Sequence, residues 1–349
     1  MLESPDILVE TVGALGHIRL NRPKAINALT LEMIQTFQAA LTGFENDPAV
    51  AAVLVTGEGE RGLCAGGDIR LLYEHRHEGT GFGAAFFRAE YRMNAHIAAY
   101  RKPYIAIMDG ITMGGGIGIS AHGTVRIVTE RTRAAMPEAG IGFFPDIGAT
   151  WLLSRAPGEI GTFLGLTGEG IGGADAIYAG LTDFFVPSAK LPALVEALSA
   201  LPATATLADI RALAHGFAEM APPPLAAHRA EIDAAFAHDR VEEIDAALDA
   251  SGTAFAQKTL AVMAQKSPTS MKVILRLLRL GRASASMKEC QEREFAAAHT
   301  VLASDEFYEG VRAAVVDKDR TPRWRPSTLA AVGEDVLAPY FKPAEPGLF

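Results

Sequence analysis

The sequence is poor in cysteine, in long apolar runs and in clustered positive charge. Its 349 residues include only two cysteines, Cys64 and Cys290, which cannot form a disulfide framework and therefore indicate a reducing compartment. No stretch approaches the roughly 18 uninterrupted apolar residues that a membrane-spanning helix needs. The net charge is −9, and no run of Lys and Arg is interleaved with aromatic residues, so we expect no nucleic-acid partner.

The first residues, "MLESPDILVETVGALG", have none of the features of a targeting segment. They are acidic, they lack a basic start followed by an apolar stretch, and they are not rich in arginine. The sequence as a whole is 49% hydrophobic and 21% charged, which is enough apolar material for a substantial core. We therefore expect a cytoplasmic protein, with no membrane association, that has one large domain and a smaller one.

Strand-like and helix-like segments alternate through the first part of the sequence. The segment "ILVETVGALGHIRL" alternates about a glycine and predicts a β-hairpin. The segment "LTLEMIQTFQAALTGFEND" has the apolar spacing of a helix, with Thr30 as its N-cap, and "AVAAVLVTG" predicts a buried strand. This alternation, with glycine-rich turns between the elements, predicts an α/β fold whose site lies at the strand ends.

After about residue 187 the composition becomes alanine-rich and the strand signals become few. Amphipathic helices are predicted from there to about Lys318, with a proline-rich break at "APPPLAAHR". We therefore predict a boundary near residue 200, between an α/β core over residues 1–200 and a mainly helical region over residues 201–349.

Four glycine clusters stand out in the sequence. Two of them, "GEGERG" and "GEGIGG", match the dinucleotide-binding pattern, but neither has both the preceding strand and the helix opening that this pattern requires. The other two, "CAGGDI" at 64–69 and "MGGGIG" at 113–118, each follow a strand and could begin a helix. Their N–H groups could form an oxyanion hole, which lowers a barrier by about 3–4 kcal/mol per donor. Tight packing of helix on strand explains the same glycines equally well.

Two acidic residues interrupt the otherwise apolar segment "MPEAGIGFFPDIGAT", Met136 to Thr150. Glu138 and Asp146 lie eight residues apart among Gly, Pro, Ile and Phe, and burying either carboxylate without a partner is costly. A helix cap or a hydrogen-bonded structural carboxylate is one interpretation. A catalytic pair is the other, because a second acid nearby raises the pKa of the first and makes it a proton carrier.

Several motifs in order resemble those of the crotonase superfamily, the enoyl-CoA hydratase/isomerase enzymes. They are "LNRPKAINAL", "CAGGDIR", "FRAEYRMN", "GITMGGGIGIS", "MPEAGIGFFPD", "KSPTSMK" and "FYEGVRAAVVDKDRTPRW", and they cover nearly the whole chain. The resemblance implies an α/β fold with a crotonase-like core of ββα spiral turns that binds an acyl-CoA over residues 1–200. It also implies a helical C-terminal region over residues 201–349.

The resemblance also implies roles for individual residues. Gly67 and Gly115 match the two oxyanion-hole donors, and Glu138 and Asp146 match catalytic acids. Glu90 in "RAEY" matches a glutamate that binds the substrate. The positions that line the path of coenzyme A in the family are Lys24, Ala25, Ala65, Asp68 and Ile69.

One departure from the family pattern separates its branches. Hydratases of the family hold one water between two glutamates, and the first of these is replaced here by Gly118, whereas Asp146 adds an acid elsewhere. This pattern resembles the branch that hydrolyses acyl-CoA thioesters, and implies hydrolysis of 3-hydroxyisobutyryl-CoA in valine breakdown. The alternatives are a hydratase or isomerase on the same fold, and a scaffold that binds CoA or a protein without turnover.

The resemblance implies an acyl-CoA substrate, no separate cofactor and no metal. Coenzyme A would arrive as part of the substrate. The two histidines of "EHRHEG" are two residues apart, so they do not share a helix face and do not predict a metal site. The family often forms trimers or hexamers, which makes a homo-oligomer the expected assembly.

Overall fold

The computed structural model describes residues 5–349. Residues 1–4 lie outside the described residues. They begin the segment for which the sequence predicts no targeting signal. The strands are β1 (Ile7–Val12), β2 (Leu15–Leu20), β3 (Ala52–Gly57), β4 (Gly62–Cys64), β5 (Tyr104–Met108), β6 (Ile111–Met113), β7 (Val125–Val128), β8 (Arg133–Ala135) and β9 (Phe184–Phe185).

Helices outnumber strands and dominate the second half of the chain. They are α1 (Leu31–Asn46), α2 (Ile69–Glu74), α3 (Gly81–Ala98), α4 (Gly115–Gly118), α5 (Ala149–Leu153), α6 (Ile160–Thr167), α7 (Gly173–Tyr178), α8 (Leu191–Ser199), α9 (Leu207–Phe217), α10 (Arg229–Phe236), α11 (Val241–Ser251), α12 (Ala254–Met263), α13 (Pro268–Ala283), α14 (Met287–Leu302), α15 (Asp305–Val311) and α16 (Glu334–Leu337). The predicted α/β class and helical C-terminal region are confirmed. Within residues 5–349, every helix is too short or too polar to span a bilayer.

The strands form two sheets. The larger has the order β1-β2-β3-β5-β7-β9, and the smaller has the order β4-β6-β8. Strands β1 and β2 form the predicted hairpin, antiparallel from Ile7–Leu20 to Val12–Leu15, and Gly13 takes the left-handed turn conformation with a φ of 60°. The remaining pairs of the large sheet are parallel, which places the carboxyl ends of β3, β5 and β7 at one edge.

The first long helix forms as its sequence predicts. The Thr30 hydroxyl accepts a hydrogen bond from Met33 N at 3.2 Å, satisfying an amide that the first turn of α1 leaves without an intrahelical partner. The apolar side chains then recur on one face, and Phe37 and Leu41 are fully buried. Burial of each such side chain contributes about 1.5–3 kcal/mol relative to exposure, so packing rather than helix propensity stabilises α1.

The chain forms two compact units, each assembled from separate stretches. The first unit comprises residues 1–67, 93–134 and 171–224, and the second comprises 68–92, 135–170 and 225–349. One hydrophobic core cluster of the first unit lies between the large sheet and the helices α8 and α9, where Leu54, Ile127 and Leu194 are fully buried. The division into 1–200 and 201–349, inferred from composition alone, stays a prediction.

In the second unit, residues 346–349 are fixed between two helices. The side chain of Leu348 is fully buried, and its carbonyl accepts a hydrogen bond from Arg92 Nε on α3 at 2.8 Å. The carboxylate of Glu292 on α14 accepts the amides of Leu348 at 2.9 Å and Phe349 at 3.0 Å. Arg88, one turn before Arg92, donates to the carbonyl of residue 347. These residues therefore tie α3 to α14.

Candidate active site

Two glycine clusters meet in the first unit at the ends of neighbouring strands. Strands β4 and β6 pair in parallel, so "AGGD" and "GGG" follow them at the same edge of the small sheet. A Cβ on Gly66, whose φ is 106°, would lie 3.2 Å from Met113 O and 3.5 Å from Gly115 N. A Cβ on Gly116 would lie 2.4 Å from the carbonyl oxygen of Cys64. The two clusters can therefore approach each other this closely only because positions 66 and 116 have no side chain.

Two other glycines of these clusters, Gly67 and Gly115, are the predicted oxyanion donors. Gly115 is the first residue of α4, where an N–H has no intrahelical acceptor. Gly67 forms an isolated parallel bridge with Leu29, whose N–H donates to the oxygen of Gly66 at 2.8 Å. The expectation that each cluster follows a strand and leads into a helix is confirmed, because β4 precedes α2 and β6 precedes α4.

The predicted CoA-path residues of the first unit lie side by side. Lys24 is exposed and Ala25 is half-buried, and both lie on the 3-10 turn Pro23–Ala25. Ala65 N donates to the oxygen of Ile26 at 2.9 Å, which holds this turn against the "CAGGD" segment. In the second unit, Asp68 caps α2 by accepting Leu71 N at 3.4 Å, and Ile69 begins that helix.

A buried asparagine that the sequence analysis did not single out fixes this turn. The side chain of Asn27 has no exposed surface, and its amide donates to the oxygens of Glu58 at 3.1 Å and Gly62 at 3.2 Å. Its oxygen accepts Arg22 N at 2.9 Å. Asn27 also has a left-handed φ of 55°, a conformation that asparagine tolerates better than most residues. The sequence signal that could have identified Asn27 is its position in the motif "NRPKAIN".

The three predicted acids lie together in the second unit. Glu90 is on α3, Glu138 begins the 3-10 turn Glu138–Ile141, and Asp146 precedes α5. Their exposed fractions are 2%, 7% and 5%, respectively. Glu90 Oε1 and Glu138 Oε2 are buried and contact no hydrogen-bond donor among the described residues, whereas Asp146 Oδ2 accepts the hydroxyl of Tyr91 at 2.7 Å.

An aromatic wall surrounds this part of the chain. The rings of Phe143 and Phe144 stack at 4.6 Å between centroids, and Phe143 also contacts Phe87 at 5.3 Å and Phe307 at 5.4 Å. Phe143 and Phe144 lie between Glu138 and Asp146 in the sequence. Such apolar surroundings remove water from a carboxylate and disfavour its charged form.

Burial and mutual repulsion raise the pKa of every acid in the cluster. Desolvation raises the pKa of Glu138 and of Glu90 well above the usual range, and the charge of Asp146 adds to both shifts. Desolvation, with a smaller contribution from the charge of Glu294, raises the pKa of Asp146 to about 8, although the hydrogen bond from Tyr91 opposes this. The cluster can therefore hold and transfer protons near neutral pH.

A further buried acid, Glu294 on α14, was not predicted from the sequence. Its carboxylate accepts hydrogen bonds from Gly148 N at 2.7 Å, from Thr150 N at 3.0 Å and from the Thr150 hydroxyl. Desolvation raises its pKa to about 7. The signal for Glu294, and for Gln291 one turn before it, was a pair of polar residues on the apolar face of a helix.

The predicted site residues therefore fall into groups within the two units. The first unit brings together Lys24, Ala25 and Ala65, and it also brings together the glycines of the two clusters, among them Gly67 and Gly115. The second unit brings together Glu90, Glu138 and Asp146 with the unpredicted Tyr91 and Glu294. Across residues 5–349, no three His, Cys, Asp or Glu side chains have an arrangement that could hold a metal ion.

Two curated proteins similar to this chain carry the same name. The 3-hydroxyisobutyryl-CoA hydrolase, mitochondrial, of Gallus gallus is 40% identical over 343 residues, covering 97% of this chain and 89% of that protein. The Homo sapiens protein of that name is 40% identical over 342 residues, covering 97% of this chain and 88% of its own length.

Solved structures with other names share the fold. A carnitinyl-CoA dehydratase from Mycobacterium thermoresistibile superposes with a TM-score of 0.94 at 43% identity, over 99% of both chains. An enoyl-CoA hydratase from Rhodobacter sphaeroides gives 0.90 at 42% identity, again over 99% of both chains. The profile of the enoyl-CoA hydratase/isomerase family matches residues 15–341. The chain therefore belongs to the enoyl-CoA hydratase/isomerase family, with the crotonase fold that the motifs predicted.

Proposed function

We propose that this protein hydrolyses an acyl-CoA thioester, converting 3-hydroxyisobutyryl-CoA to 3-hydroxyisobutyrate and CoA in valine catabolism. The observation that carries the proposal is the buried pair Glu138 and Asp146, within a chain that has a glycine at position 118. Gly118 has no side chain to hold a water, so the two-glutamate arrangement for hydration is absent. The names of the 40%-identical relatives support the same reaction.

In the proposed reaction the amides of Gly67 and Gly115 donate hydrogen bonds to the thioester oxygen. Negative charge develops on that oxygen as the carbonyl carbon becomes tetrahedral, and fixed N–H groups stabilise it without reorganising. The position of Gly115 at the start of α4 supports this role, because the amide there needs an acceptor from outside the helix.

Glu138 then acts in one of two ways. As a nucleophile, its carboxylate bonds to the carbonyl carbon, the C–S bond breaks to release CoA, and water opens the resulting anhydride. As a base, it takes a proton from a water that attacks the carbon directly, and the C–S bond then breaks. In both routes the sulfur leaves with a proton, and Asp146 orients the water or carries that proton. The buried Oε2 of Glu138 accepts no hydrogen bond from residues 5–349, which supports a role toward a bound substrate.

Glu90 is the proposed acceptor for the hydroxyl at carbon 3 of the acyl group. Its buried Oε1 contacts no donor among the described residues, and leaving such an atom unpaired costs about 1–3 kcal/mol. A substrate hydroxyl would remove that cost. An acyl group without the hydroxyl would leave it in place, which gives the site a preference for 3-hydroxyacyl thioesters.

The remaining expectations extend the proposal. Lys24, Ala25, Ala65, Asp68 and Ile69 would line the path of coenzyme A, which enters as part of the substrate, so that no separate cofactor is required. A cytoplasmic location and a trimeric or hexameric assembly also stay predictions. Light scattering coupled to size-exclusion chromatography measures the assembly directly.

A thiol-release assay tests the proposed reaction. We expect CoA release from 3-hydroxyisobutyryl-CoA and from 3-hydroxypropionyl-CoA, which lacks one methyl group worth only about 1–3 kcal/mol in a pocket. We expect much slower release from acetyl-CoA, which has no hydroxyl for Glu90. Release from none of these thioesters would refute the proposal and favour a scaffold that only binds CoA or a protein.

Hydration of an enoyl-CoA is the second candidate, because the two solved structures reported above are named a dehydratase and a hydratase. Crotonyl-CoA in the same panel distinguishes the two reactions. Loss of enoyl absorbance without thiol release would identify a hydratase, whereas a loss accompanied by thiol release would identify hydrolysis of the thioester.

A further inference from the structure

Glu294 supports the turn that follows Asp146. Both residues after Asp146 have left-handed φ angles, 57° at Ile147 and 79° at Gly148, and at Ile147 this conformation is strained. For a β-branched residue such as Ile147 this conformation costs of order 1–3 kcal/mol and persists only when its surroundings impose it. Helix α5 begins immediately afterwards, and its N-cap, Gly148, has no side chain with which to accept the first amides.

The carboxylate of Glu294 takes the place of that missing cap. It reaches from α14 and accepts Gly148 N, Thr150 N and the Thr150 hydroxyl. The side chain has no exposed surface, and burying a carboxylate costs several kcal/mol unless hydrogen bonds compensate. Three donors from one turn provide that compensation, so the position of the turn depends on the carboxylate of Glu294.

Tyr91 holds the side chain of Asp146. Its hydroxyl donates to Asp146 Oδ2 at 2.7 Å, and its carbonyl oxygen accepts Gln291 Nε2 at 3.0 Å. The ring of Tyr91 also packs edge-on against Phe295, with 6.1 Å between centroids. Asp146 is therefore held directly at its side chain by α3, and the turn that follows it is held by α14.

We propose that Glu294 is a positioning residue for the hydrolysis, holding Asp146 in its working orientation through the Gly148–Thr150 turn, with Tyr91 completing the arrangement. This inference rests on the proposed function. Glu294 does not need to touch the substrate. It affects where the carboxyl group of Asp146 lies and at which pH that group loses its proton.

The charges around Asp146 give this role a signature that a purely structural residue lacks. Tyr91 and Glu90 face Asp146 from α3, Glu138 from the 3-10 turn, and Glu294 from α14, which also carries Arg293 beside Glu294. The negative charge of Glu294 raises the pKa of Asp146. Replacing Glu294 by a neutral residue therefore moves the titration of Asp146 to lower pH.

The test compares Glu294→Gln with Glu289→Gln, a control on the same helix that lies at its exposed start. We expect kcat for CoA release from 3-hydroxyisobutyryl-CoA to fall by about 10–100-fold in Glu294→Gln with KM nearly unchanged, because a displacement near 1 Å costs that much. We also expect the limb of the pH–rate profile that Asp146→Asn abolishes to shift to lower pH. A folded Glu294→Gln variant with the wild-type kcat and pH profile would overturn the inference.

A second pair of variants covers the case in which Glu294→Gln fails to fold. Thr150→Ser keeps the hydroxyl that donates to Glu294, and Thr150→Val removes it. We expect Thr150→Val to lose kcat and Thr150→Ser to recover it. Equal kcat values in the two variants would overturn the inference.

Failure of the inference can be separated from failure of the proposed function. If the wild-type protein releases no CoA, the proposed function fails, and the support from Glu294 is then measured without turnover. Carbon-13 NMR of labelled aspartate carboxyls, assigned with Asp146→Asn, follows the titration of Asp146 directly. A titration midpoint that is the same in the wild type and in Glu294→Gln would refute the coupling.

Discussion

Asp146→Asn should make the protein more stable as it makes it inactive. The carboxyl of Asp146 is 5% exposed, and its pKa rises from 3.8 to about 8 on folding, mainly because burial disfavours the charged form. A group with a raised folded-state pKa favours the folded state fully below pH 3.8, and this contribution is lost as the pH rises through about 8. Asparagine has nearly the same shape, carries no charge and keeps an oxygen for the hydroxyl of Tyr91.

The size of the effect follows from the two pKa values. At pH 7 the wild-type side chain must take up a proton to fold, which disfavours folding by about 4 kcal/mol relative to a neutral isostere. Glu138, Glu90 and Glu294 exchange protons with Asp146, so we expect a measured gain of about 2 kcal/mol. For a chain of 349 residues this corresponds to a rise in Tm of about 3 °C.

Urea unfolding followed by circular dichroism, repeated from about pH 5 to about pH 8, measures this prediction. The difference in unfolding free energy between Asp146→Asn and wild type should grow with pH. The two N–H donors that asparagine adds could change the unfolding free energy by a constant amount. Such a constant would not alter how the difference between the two proteins changes with pH. Asp249→Asn, at an exposed position on α11, is the matched control for exchanging an aspartate for an asparagine. A difference that is flat or that falls with rising pH would refute the reasoning.

Three further substitutions test the site and the packing around it. Glu138→Gln should abolish CoA release while thermal unfolding stays cooperative, and near-normal turnover would remove Glu138 from the chemistry. Leu348→Ala should lower the unfolding free energy by about 2–5 kcal/mol, because the side chain is fully buried, and urea titration measures the loss. Gly116→Ala should destabilise the fold by about 1–3 kcal/mol, since the new Cβ would lie 2.4 Å from the Cys64 oxygen. Gly216→Ala on α9 meets no atom within 4 Å and should stabilise slightly; equal effects of the two alanines would contradict the packing argument.

Features that depend on neighbouring residues could be predicted from the sequence. The β1–β2 hairpin turns at a glycine between two alternating segments, and Thr30 caps α1 through an amide only three residues away. Both are decided within a short stretch of chain. The order of motifs likewise predicted the family, because Gly67, Gly115 and Glu138 each lie in a recognisable local pattern.

The support around Asp146 could not be predicted in the same way. Tyr91, Asp146 and Glu294 are separated by 55 and by roughly 150 residues, and they meet only after α3 and α14 have packed. Nothing local distinguishes Glu294 from an exposed helix glutamate except the apolar residues on its own face. A sequence pattern predicts which face of a helix is buried, but the partner that a buried carboxylate finds there depends on the tertiary fold.

Residues 346–349 are hydrogen-bonded to the same two helices that carry two of the buried acids, so a movement of this segment is coupled to the position of those acids. Arg92 on α3 and Glu292 on α14 form hydrogen bonds with this segment. The same two helices carry Glu90 and Glu294, respectively. The amides of Leu348 and Phe349 donate to Glu292, so they exchange with solvent only when these hydrogen bonds open. The hydrogen-exchange rate of these two amides therefore reports how often the segment separates from α14, and a ligand that stabilises the second unit should slow it.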